Sequence, residues 1–585
     1  MKKIFLLLAL LSTTLTLSAG PIGEARARQI AEEFFTAHAT RSAVGSITLS
    51  WAGDNIIEPI STGAQLDNAL MYIYNRGAND GFVVVAGDSN TTPIVAYSLD
   101  GTIDTNNMAD ATRDILDAWC KQINAARKEQ AQKSIKRSST TRSGDELLYE
   151  TALWNQGEPY NREAPVWEGY PCVTGCVATA MSIICYHNRW PECGVGTTPE
   201  YSYYDTTNTL RTVPENQLGR AYDYDNMLLD YANGYTETEA NAVAAIMKDM
   251  GTSVQMMYHY TESGSYDSNV VNALTSYFGY SKSAQLTRRD SYHDSEEWND
   301  IVRANLREYG PMYYSGHNGV GGHAFVVSGY NSNDYFYINF GWGGQSNGWY
   351  LIPEIEYYLN QQTILGLAPD RDNSSTYVDI LYLTSLIDST TNEVLYQGMQ
   401  SDATKYESGG IYNFSIGGIY NAGPRLFSGD ISVVHCNSNY EWKSVLDSFS
   451  LTDLLIGHFI YFDTQYTITE SIESGDCICI FSKNLESNEW QLVRRFSEGD
   501  VDKIHLAASA EEVAQSLEFS YNKLNGELIL QSSNALQIEL QSPTGEVSQS
   551  ETPSHHTLLY TISEHGEYLF NIRSGGEPYV LKLKF

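Results

Sequence analysis

The sequence predicts an α+β protein whose C-terminal part consists of β-sandwich modules. Residues 145–368 place a buried helix early and strands late, which is an α+β order. The region before it, residues 23–131, combines two amphipathic helical patterns with four strand-like runs. From about residue 372 onward, short alternating runs are separated by turn residues, which is typical of β-sandwiches.

The composition fits a folded chain of several domains. The 585 residues are 42% hydrophobic and 18% charged, so each domain can bury a core. The formal net charge is −35, which disfavours nucleic acid and anionic membranes as partners because both carry negative charge.

The first 19 residues have the pattern of a secretory signal peptide. Lys2 and Lys3 precede an apolar run that ends in small residues at Ala19. The run is too short to cross a membrane, and no later stretch reaches about 18 apolar residues. We therefore expect bacterial export, to a secreted or periplasmic location, and no membrane span.

Two boundaries follow from changes in composition. Residues 133–144 are basic, polar and without apolar periodicity, so they read as an exposed linker and a target for proteolysis, or as a plain tether. A second boundary is predicted near residue 508. The predicted parts are a signal peptide (1–19), an N-terminal domain with its linker (20–143), a central domain (144–370), a β-sandwich (371–508) and a C-terminal β-module (509–585).

Cys176 has the features of a nucleophile. It follows Gly175 and begins a nearly all-apolar helix predicted over residues 176–187. The positive end of the helix dipole lowers a thiol pKa, which favours the reactive thiolate. A structural cysteine is the alternative.

The remaining cysteines suggest no other chemistry. Zinc binding by the four cysteines between 172 and 193 is disfavoured because they lack paired C-x-x-C spacing. Cys477 and Cys479 share one face of a predicted strand and are expected to be buried free thiols.

A nucleophilic cysteine needs a general base, and His323 is the best candidate. It follows a glycine-rich loop and begins an apolar strand. His187 lies about 16 Å along the helix from Cys176, which is too far for contact. His317 is the second candidate, but the sequence suggests no strand to hold it.

Other residues are candidates for orienting the base and binding the oxyanion. A hairpin turn near 331–333 places a residue between Asn339 and Trp342 opposite His323. Asn339 can accept the imidazole N–H, and Trp342 can shield that bond from water. The backbone N–H of Cys176 and the side-chain amide of Gln156 can stabilise an oxyanion. The alternatives are ordinary strand and turn packing for the first pair and a surface loop residue for Gln156.

Together these segments resemble the streptopain family of papain-like cysteine peptidases. The matching runs appear in family order at residues 153–161, 174–180, 321–326 and 338–344. The resemblance implies a papain-like fold, with Cys176 as nucleophile and His323 as base. It also implies Gln156 in the oxyanion hole and Asn339 with Trp342 around the histidine. The family usually has Trp where this chain has Phe340.

The flanking regions carry further resemblances. Residues 74–77 and 81–87 resemble the propeptides of this family, which inhibit by folding against the enzyme. Residues 510–585 are somewhat similar to the sorting domains of exported bacterial proteins, and a simple β-module fits them equally well.

The implied function is that of a secreted cysteine endopeptidase made as a zymogen. It would hydrolyse protein or peptide substrates by thiolate attack through an acyl-enzyme, with no cofactor or metal. One rival is another Cys-His acyl transferase, such as a transglutaminase-like enzyme, which an Asp orienting the base would favour. Another is a non-enzymatic adhesin or inhibitor with a relict peptidase domain, which loss of Cys176 or His323 would have indicated.

Overall fold

The structure is a computed structural model of the chain. The predicted signal peptide (1–19) and linker (133–144) lie outside the residues it describes. The described residues are 20–38, 46–56, 63–129, 146–292, 295–319, 321–354, 358–384, 386–387, 394–396, 398–487, 489–495, 503–508, 510–522, 527–532, 535–553, 557–562, 566–574 and 578–584.

The chain forms two compact units. Unit 1 comprises residues 1–148, 317–322 and 329–358, and unit 2 comprises 149–316, 323–328 and 359–585. The units do not follow the predicted domain borders, because the segment 329–358 joins the N-terminal region. The five-part division of the chain stays a prediction.

Unit 1 is built on a sheet that continues from the N-terminal region into the segment 329–358. Each strand in it pairs antiparallel with the next. Trp349 pairs with Tyr97, which joins the two parts of the sheet. The strands, in sheet order, are Ile47–Gly53, Met71–Arg76, Phe82–Ala86, Ile94–Ser98, Gly348–Tyr350 and Phe336–Asn339.

The described residues of unit 1 form two α-helices, and both were predicted from their periodicity. Helix Glu24–Ala37 buries Ala27, Ala31, Phe34 and Phe35 along one face against the sheet. Helix Asp110–Glu129 buries an apolar face that includes Ile115, Leu116, Trp119 and Ile123. The remaining elements of unit 1 are the 3₁₀-helix Gly63–Asn68 and the short strand Leu147–Leu148.

The core of unit 2 surrounds helix Cys176–Asn188, which confirms the predicted buried helix. Residues 177–186 are all buried, because apolar and small side chains cover the whole circumference. Helix Glu237–Ser253 contacts it and begins with a capping box formed by Thr236 and Glu239. Two further helices, Asp267–Tyr277 and Ser295–Tyr309, were not predicted.

Short strands complete the central part of the chain. The apolar run after the glycine-rich loop forms strand Gly322–Tyr330, which belongs partly to each unit. A turn closed by Asn331 N–H donating to the carbonyl of Tyr335 follows it, as the hairpin prediction required. The other elements are strands Val166–Trp167, Tyr170–Pro171, Thr197–Thr198, Tyr201–Tyr204, Leu210–Val213, Asn216–Gln217, Gln285–Arg288, Met312–His317 and Leu359–Leu365, and the 3₁₀-helix Arg289–Ser291.

The C-terminal part is β-rich, as predicted, and its first module has two sheets around one core. One sheet contains Leu381–Leu383, Met399–Ser401, Ile411–Asn421 and Phe459–Thr467. The other contains Phe427–Cys436, Trp442–Leu454, Cys477–Asn484, Gln491–Leu492 and Ile504–His505. A separate pair is formed by Leu386–Ile387 and Val394–Tyr396.

The second β-module also has two sheets sharing a core. One sheet contains Leu517–Asn522, Glu527–Ser532 and Thr557–Thr561. The other contains Leu536–Gln541, Val547–Thr552, Glu567–Arg573 and Tyr579–Lys584, and the short helix Ala510–Ser516 precedes both sheets. Alternating burial along these strands explains why their pattern could be read from the sequence.

Cys477 and Cys479 are buried free thiols, as predicted. Their sulfur atoms lie 3.6 Å apart on the same face of strand Cys477–Asn484. Among the described helices, none is long and apolar enough to cross a membrane.

Candidate active site

The loop before Cys176 requires a glycine. Gly175 has φ = +85°, a backbone conformation that residues with a Cβ atom rarely adopt. A Cβ atom at this position would lie 2.7 Å from the carbonyl oxygen of Ser263, so space is lacking as well. This tight turn puts Cys176 at the first position of its helix.

The thiol of Cys176 lies against the strand that carries His323. The backbone N–H of Ala324 donates to the Cys176 sulfur, with 3.5 Å between the two atoms. Ala324 directly follows His323, which is half-buried near the start of strand Gly322–Tyr330. The structure therefore brings the predicted nucleophile next to the backbone that carries the predicted base.

The electrostatic environment of Cys176 differs from the prediction. Burial raises the pKa of the thiol, and Asp267 adds to this effect. The N–H groups of Ala324, Val177 and Cys176 itself lower the pKa, but burial outweighs them. The prediction of a lowered pKa was wrong for this state of the protein, because it counted the helix end and not the loss of solvent.

Gln156 lies in a loop that is tied to the segment before Cys176. Its carbonyl accepts the N–H of Thr174 at 3.0 Å, and Thr174 is two residues before the nucleophile. The buried ring of Trp154 anchors the same loop by donating its N–H to the carbonyl of Leu228 at 2.8 Å. This main-chain hydrogen bond therefore ties Gln156 to the segment that leads into Cys176.

The two other candidate histidines have local partners. His187 lies in the last turn of the Cys176 helix, with its Nδ1 3.2 Å from the carbonyl oxygen of Glu150. His317 ends strand Met312–His317, so the prediction that it lacks a strand was wrong. Its Nδ1 accepts the N–H of Gly319 at 2.9 Å, and burial lowers the pKa of its ring.

Asn339 and Trp342 belong to unit 1, whereas Cys176, His323 and Gln156 belong to unit 2. Asn339 is fully buried, and its Oδ1 accepts the N–H of Gly341 at 3.1 Å. Trp342 is half-buried. Their roles around the base stay predictions.

Phe340 fills a core position in unit 1. It is buried and meets the ring of Tyr350 edge to face, with 5.3 Å between centroids. A phenylalanine is therefore well packed where the streptopain family usually has Trp.

An acidic residue that the sequence did not single out also lies beside the site. Asp267, at the start of helix Asp267–Tyr277, accepts the hydroxyl of Tyr313 at 2.5 Å through its Oδ1. Its carboxylate raises the pKa of the Cys176 thiol. A lone Asp in a polar loop carries no sequence signal for this position, because only the fold brings it to the cysteine.

Comparison with known families gives two matches along the chain. Residues 154–350 match the Peptidase C10 family. Residues 19–123 match a second family, described as Spi protease inhibitor.

Individual relatives cover different shares of the chain. A "Thiol protease/hemagglutinin PrtT" from Porphyromonas gingivalis is 29% identical over 547 residues, which are 88% of this chain and 60% of that protein. Streptopain from Streptococcus pyogenes is 29% identical over 329 residues, which are 52% of this chain and 79% of streptopain.

Two solved structures from Prevotella intermedia are also similar. The prointerpain A fragment carrying a Cys-to-Ala mutation is 27% identical and covers 55% of this chain and 99% of its own, with a TM-score of 0.45. Active interpain A, described as a cysteine protease, is 31% identical and covers 40% of this chain and 99% of its own, with a TM-score of 0.35. By these matches, residues 154–350 of the chain are similar to the Peptidase C10 family, and its relatives include proteins named as a thiol protease and as streptopain.

Proposed function

We propose that this protein is a secreted cysteine endopeptidase made as a zymogen, with Cys176 as nucleophile and His323 as general base. The observation that carries the proposal is the 3.5 Å contact between the Ala324 N–H and the Cys176 sulfur at the start of a buried helix. Cysteine nucleophiles work when a base lies within reach and the thiolate is stabilised. Protein or peptide chains are the substrates.

The proposed reaction proceeds through an acyl-enzyme. His323 takes the thiol proton, and the Cys176 thiolate attacks the peptide carbonyl. The oxyanion of the tetrahedral intermediate accepts hydrogen bonds from the N–H of Cys176 and the amide of Gln156. The C–N bond then breaks, His323 gives its proton to the leaving amine, and water hydrolyses the thioester.

Asn339 and Trp342 are assigned supporting roles in this proposal. An amide oxygen that accepts the far N–H of the imidazole fixes its tautomer, so that the other nitrogen faces the thiol. The indole of Trp342 shields that hydrogen bond from water. The reaction as written uses neither a metal nor a cofactor.

We further propose that the N-terminal region is an inhibitory prodomain. Its match to the Spi protease inhibitor family supports this role. The contacts of helix Asp110–Glu129 with the loop before His323 support it too. The side-chain N–H of Asn318 donates to Asp114 Oδ1 at 2.8 Å, and Lys121 Nζ lies 3.4 Å from the Asn318 carbonyl oxygen.

The N-terminal region also forms hydrogen bonds with the segment after His323. The indole N–H of Trp119 donates to the carbonyl of Leu351 at 2.9 Å, and Tyr335 donates its hydroxyl to the carbonyl of Ile94 at 2.6 Å. These contacts are made with segments that precede and follow His323 in the sequence. They support a prodomain that holds the base out of its working position or blocks the cleft.

Activation then requires cutting of the linker. A tethered inhibitor acts at an effective concentration in the millimolar range, so modest contacts suffice until the tether is cut. We place the cut near Arg137 or Arg142, in the basic stretch outside the described residues. After cutting, the prodomain dissociates or is digested.

The proposal is tested with the Cys176→Ala precursor and the wild-type precursor. The variant should fold, fail to hydrolyse casein, and be trimmed in the linker when active enzyme is added. The wild-type precursor should be nearly inactive until it is trimmed. Equal turnover by cut and uncut chains would remove the zymogen proposal, and full activity of the variant would remove the nucleophile. Transfer of the acyl group to an added amine, without hydrolysis, would favour the acyl transferase.

A further inference from the structure

A loop of unit 2 runs directly beside the nucleophile. The N–H of Val173 donates to the carbonyl of His259 at 3.0 Å, and Ser263 faces Gly175 closely enough to exclude a Cβ atom there. The loop is therefore packed against the residues that lead into Cys176. It ends at Asp267, where helix Asp267–Tyr277 begins.

The carboxylate of Asp267 is fixed from a second direction by strand Met312–His317. Tyr313, which is fully buried, donates its hydroxyl to Oδ1 at 2.5 Å. This strand neighbours strand Gly322–Tyr330, whose Ala324 N–H meets the Cys176 sulfur. The loop and the strand together hold one carboxylate at the edge of the nucleophile.

This carboxylate lacks a cationic partner. Across the described ranges, no Lys, Arg or His forms an ion pair with Asp267, whose Oδ1 accepts the hydroxyl of Tyr313. Burial raises the pKa of Asp267, and Asp267 in turn raises that of the Cys176 thiol. A half-buried carboxylate without a counter-ion is costly, and a cation arriving with a ligand would offset that cost.

The chain itself contains a segment of complementary charge. Residues 133–144 include Lys133, Lys136, Arg137 and Arg142 and no acidic residue, in a chain with a net charge of −35. This is the stretch in which the proposed activation cut falls. A site that accepts a basic side chain would therefore suit the enzyme's own linker.

We propose that Asp267 is a specificity-determining residue that binds an Arg or Lys side chain of the substrate close to the scissile bond. This inference rests on the proposed peptidase function and names its preferred substrate class. A guanidinium can form two parallel hydrogen bonds with one carboxylate, so arginine is the better ligand.

Matched peptides that differ at one position test this proposal. In each pair, one peptide carries arginine and the other carries citrulline at the same position near the cleaved bond. Citrulline has nearly the same shape as arginine and no charge. The processed enzyme should prefer arginine by about tenfold in kcat/KM at one position, as expected for one desolvated charge-assisted hydrogen-bonded pair. Asp267→Asn should reduce that ratio to about one.

Two control variants separate this role from a structural one. Glu262→Gln removes an exposed carboxylate of the same loop and should keep the arginine preference, because solvent screens a charge at that position. Tyr313→Phe removes the hydroxyl but keeps the carboxylate, so the preference should persist. If Asp267→Asn lowers kcat/KM equally for both peptides of every pair, the residue is structural and the proposal is wrong.

Two further outcomes distinguish failure of the Asp267 proposal from failure of the proposed peptidase function. Cleavage by the wild-type enzyme without preference for arginine at any position would overturn the role of Asp267 and leave the peptidase function intact. Failure to cleave casein or any of the peptides would overturn the peptidase function, and the role of Asp267 with it.

Discussion

Asn318 and Asp114 are joined by a hydrogen bond of 2.8 Å from the Asn318 amide to Asp114 Oδ1. Asn318 stands five residues before His323, and Asp114 lies on helix Asp110–Glu129 of the N-terminal region. The bond therefore links the proposed inhibitory region to the loop that leads to the proposed base. Burial, together with Asp110 and Asp117, raises the pKa of Asp114 to about 7.

The first prediction concerns how this contact depends on pH. Because the pKa of Asp114 is raised in the contact, the protonated carboxyl stabilises the bound prodomain. This stabilisation is complete below the ordinary pKa of Asp. It is lost as pH rises through about 7. In a Cys176→Ala precursor cut in the linker, retention of the prodomain should fall between pH 6 and pH 8, by at most about tenfold per pH unit for one proton.

Gel filtration at each pH measures the retained fraction. Asp114→Asn keeps an oxygen acceptor for Asn318 and cannot ionise, so its prodomain should be retained equally across this range. A wild-type-like pH dependence in Asp114→Asn would mean that another group is responsible.

Much of the fold could be predicted where periodicity is strong. The helices at Glu24–Ala37, Asp110–Glu129 and Cys176–Asn188 bury apolar side chains, and a helix was predicted in each of these places. Helix Ser295–Tyr309 was not predicted, although it buries Trp298, Val302 and Leu306 on one face. The many charged residues of this helix mask the periodicity of that face in the sequence.

Long-range pairing and electrostatics could not be predicted. The partner of Tyr97 in the sheet is Trp349, and nothing local in either strand specifies a partner so distant in the chain. The position of Asp267 beside Cys176 depends on a loop and a strand from separate parts of the sequence. Burial of the thiol, which reversed the expected pKa shift, is likewise a property of the assembled core.

The second prediction concerns Gly175. Substitution by Ala should destabilise unit 2 by about 1–3 kcal/mol through backbone strain, and further through the clash with the Ser263 carbonyl. Thermal unfolding measures the change. Gly264→Ala is the matched control, because a Cβ atom there meets nothing within 4 Å. Equal stability of the two variants would contradict the need for glycine at 175.

The third prediction concerns Gln156. Gln156→Ala should lower kcat about 100- to 1,000-fold, the usual effect of removing one oxyanion donor, with little change in KM. The fold should persist, because the loop is held by the Gln156 carbonyl and by Trp154 rather than by the Gln156 amide. Peptide hydrolysis and circular dichroism check the two parts. A rise in KM alone would show that Gln156 binds substrate in the ground state.

The fourth prediction distinguishes three histidines. His323→Ala should lower kcat/KM at least about 100-fold, as expected for loss of a general base. His187→Ala should have little effect, because that ring contacts Glu150 and Tyr149 away from the site. His317→Ala should also retain activity in the processed enzyme. Loss of activity in His317→Ala with retention in His323→Ala would reverse the assignment of the base.

The most direct test of the central claim is to label the processed enzyme with an epoxide that alkylates active thiolates, and to locate the label by peptide mass spectrometry. The chain has eight cysteines, all free thiols, so selective labelling of one of them is informative. We predict one label per chain, on Cys176, with hydrolysis of casein lost in proportion to labelling. Labelling of another cysteine with loss of activity, or full activity after Cys176 is labelled, would contradict the account.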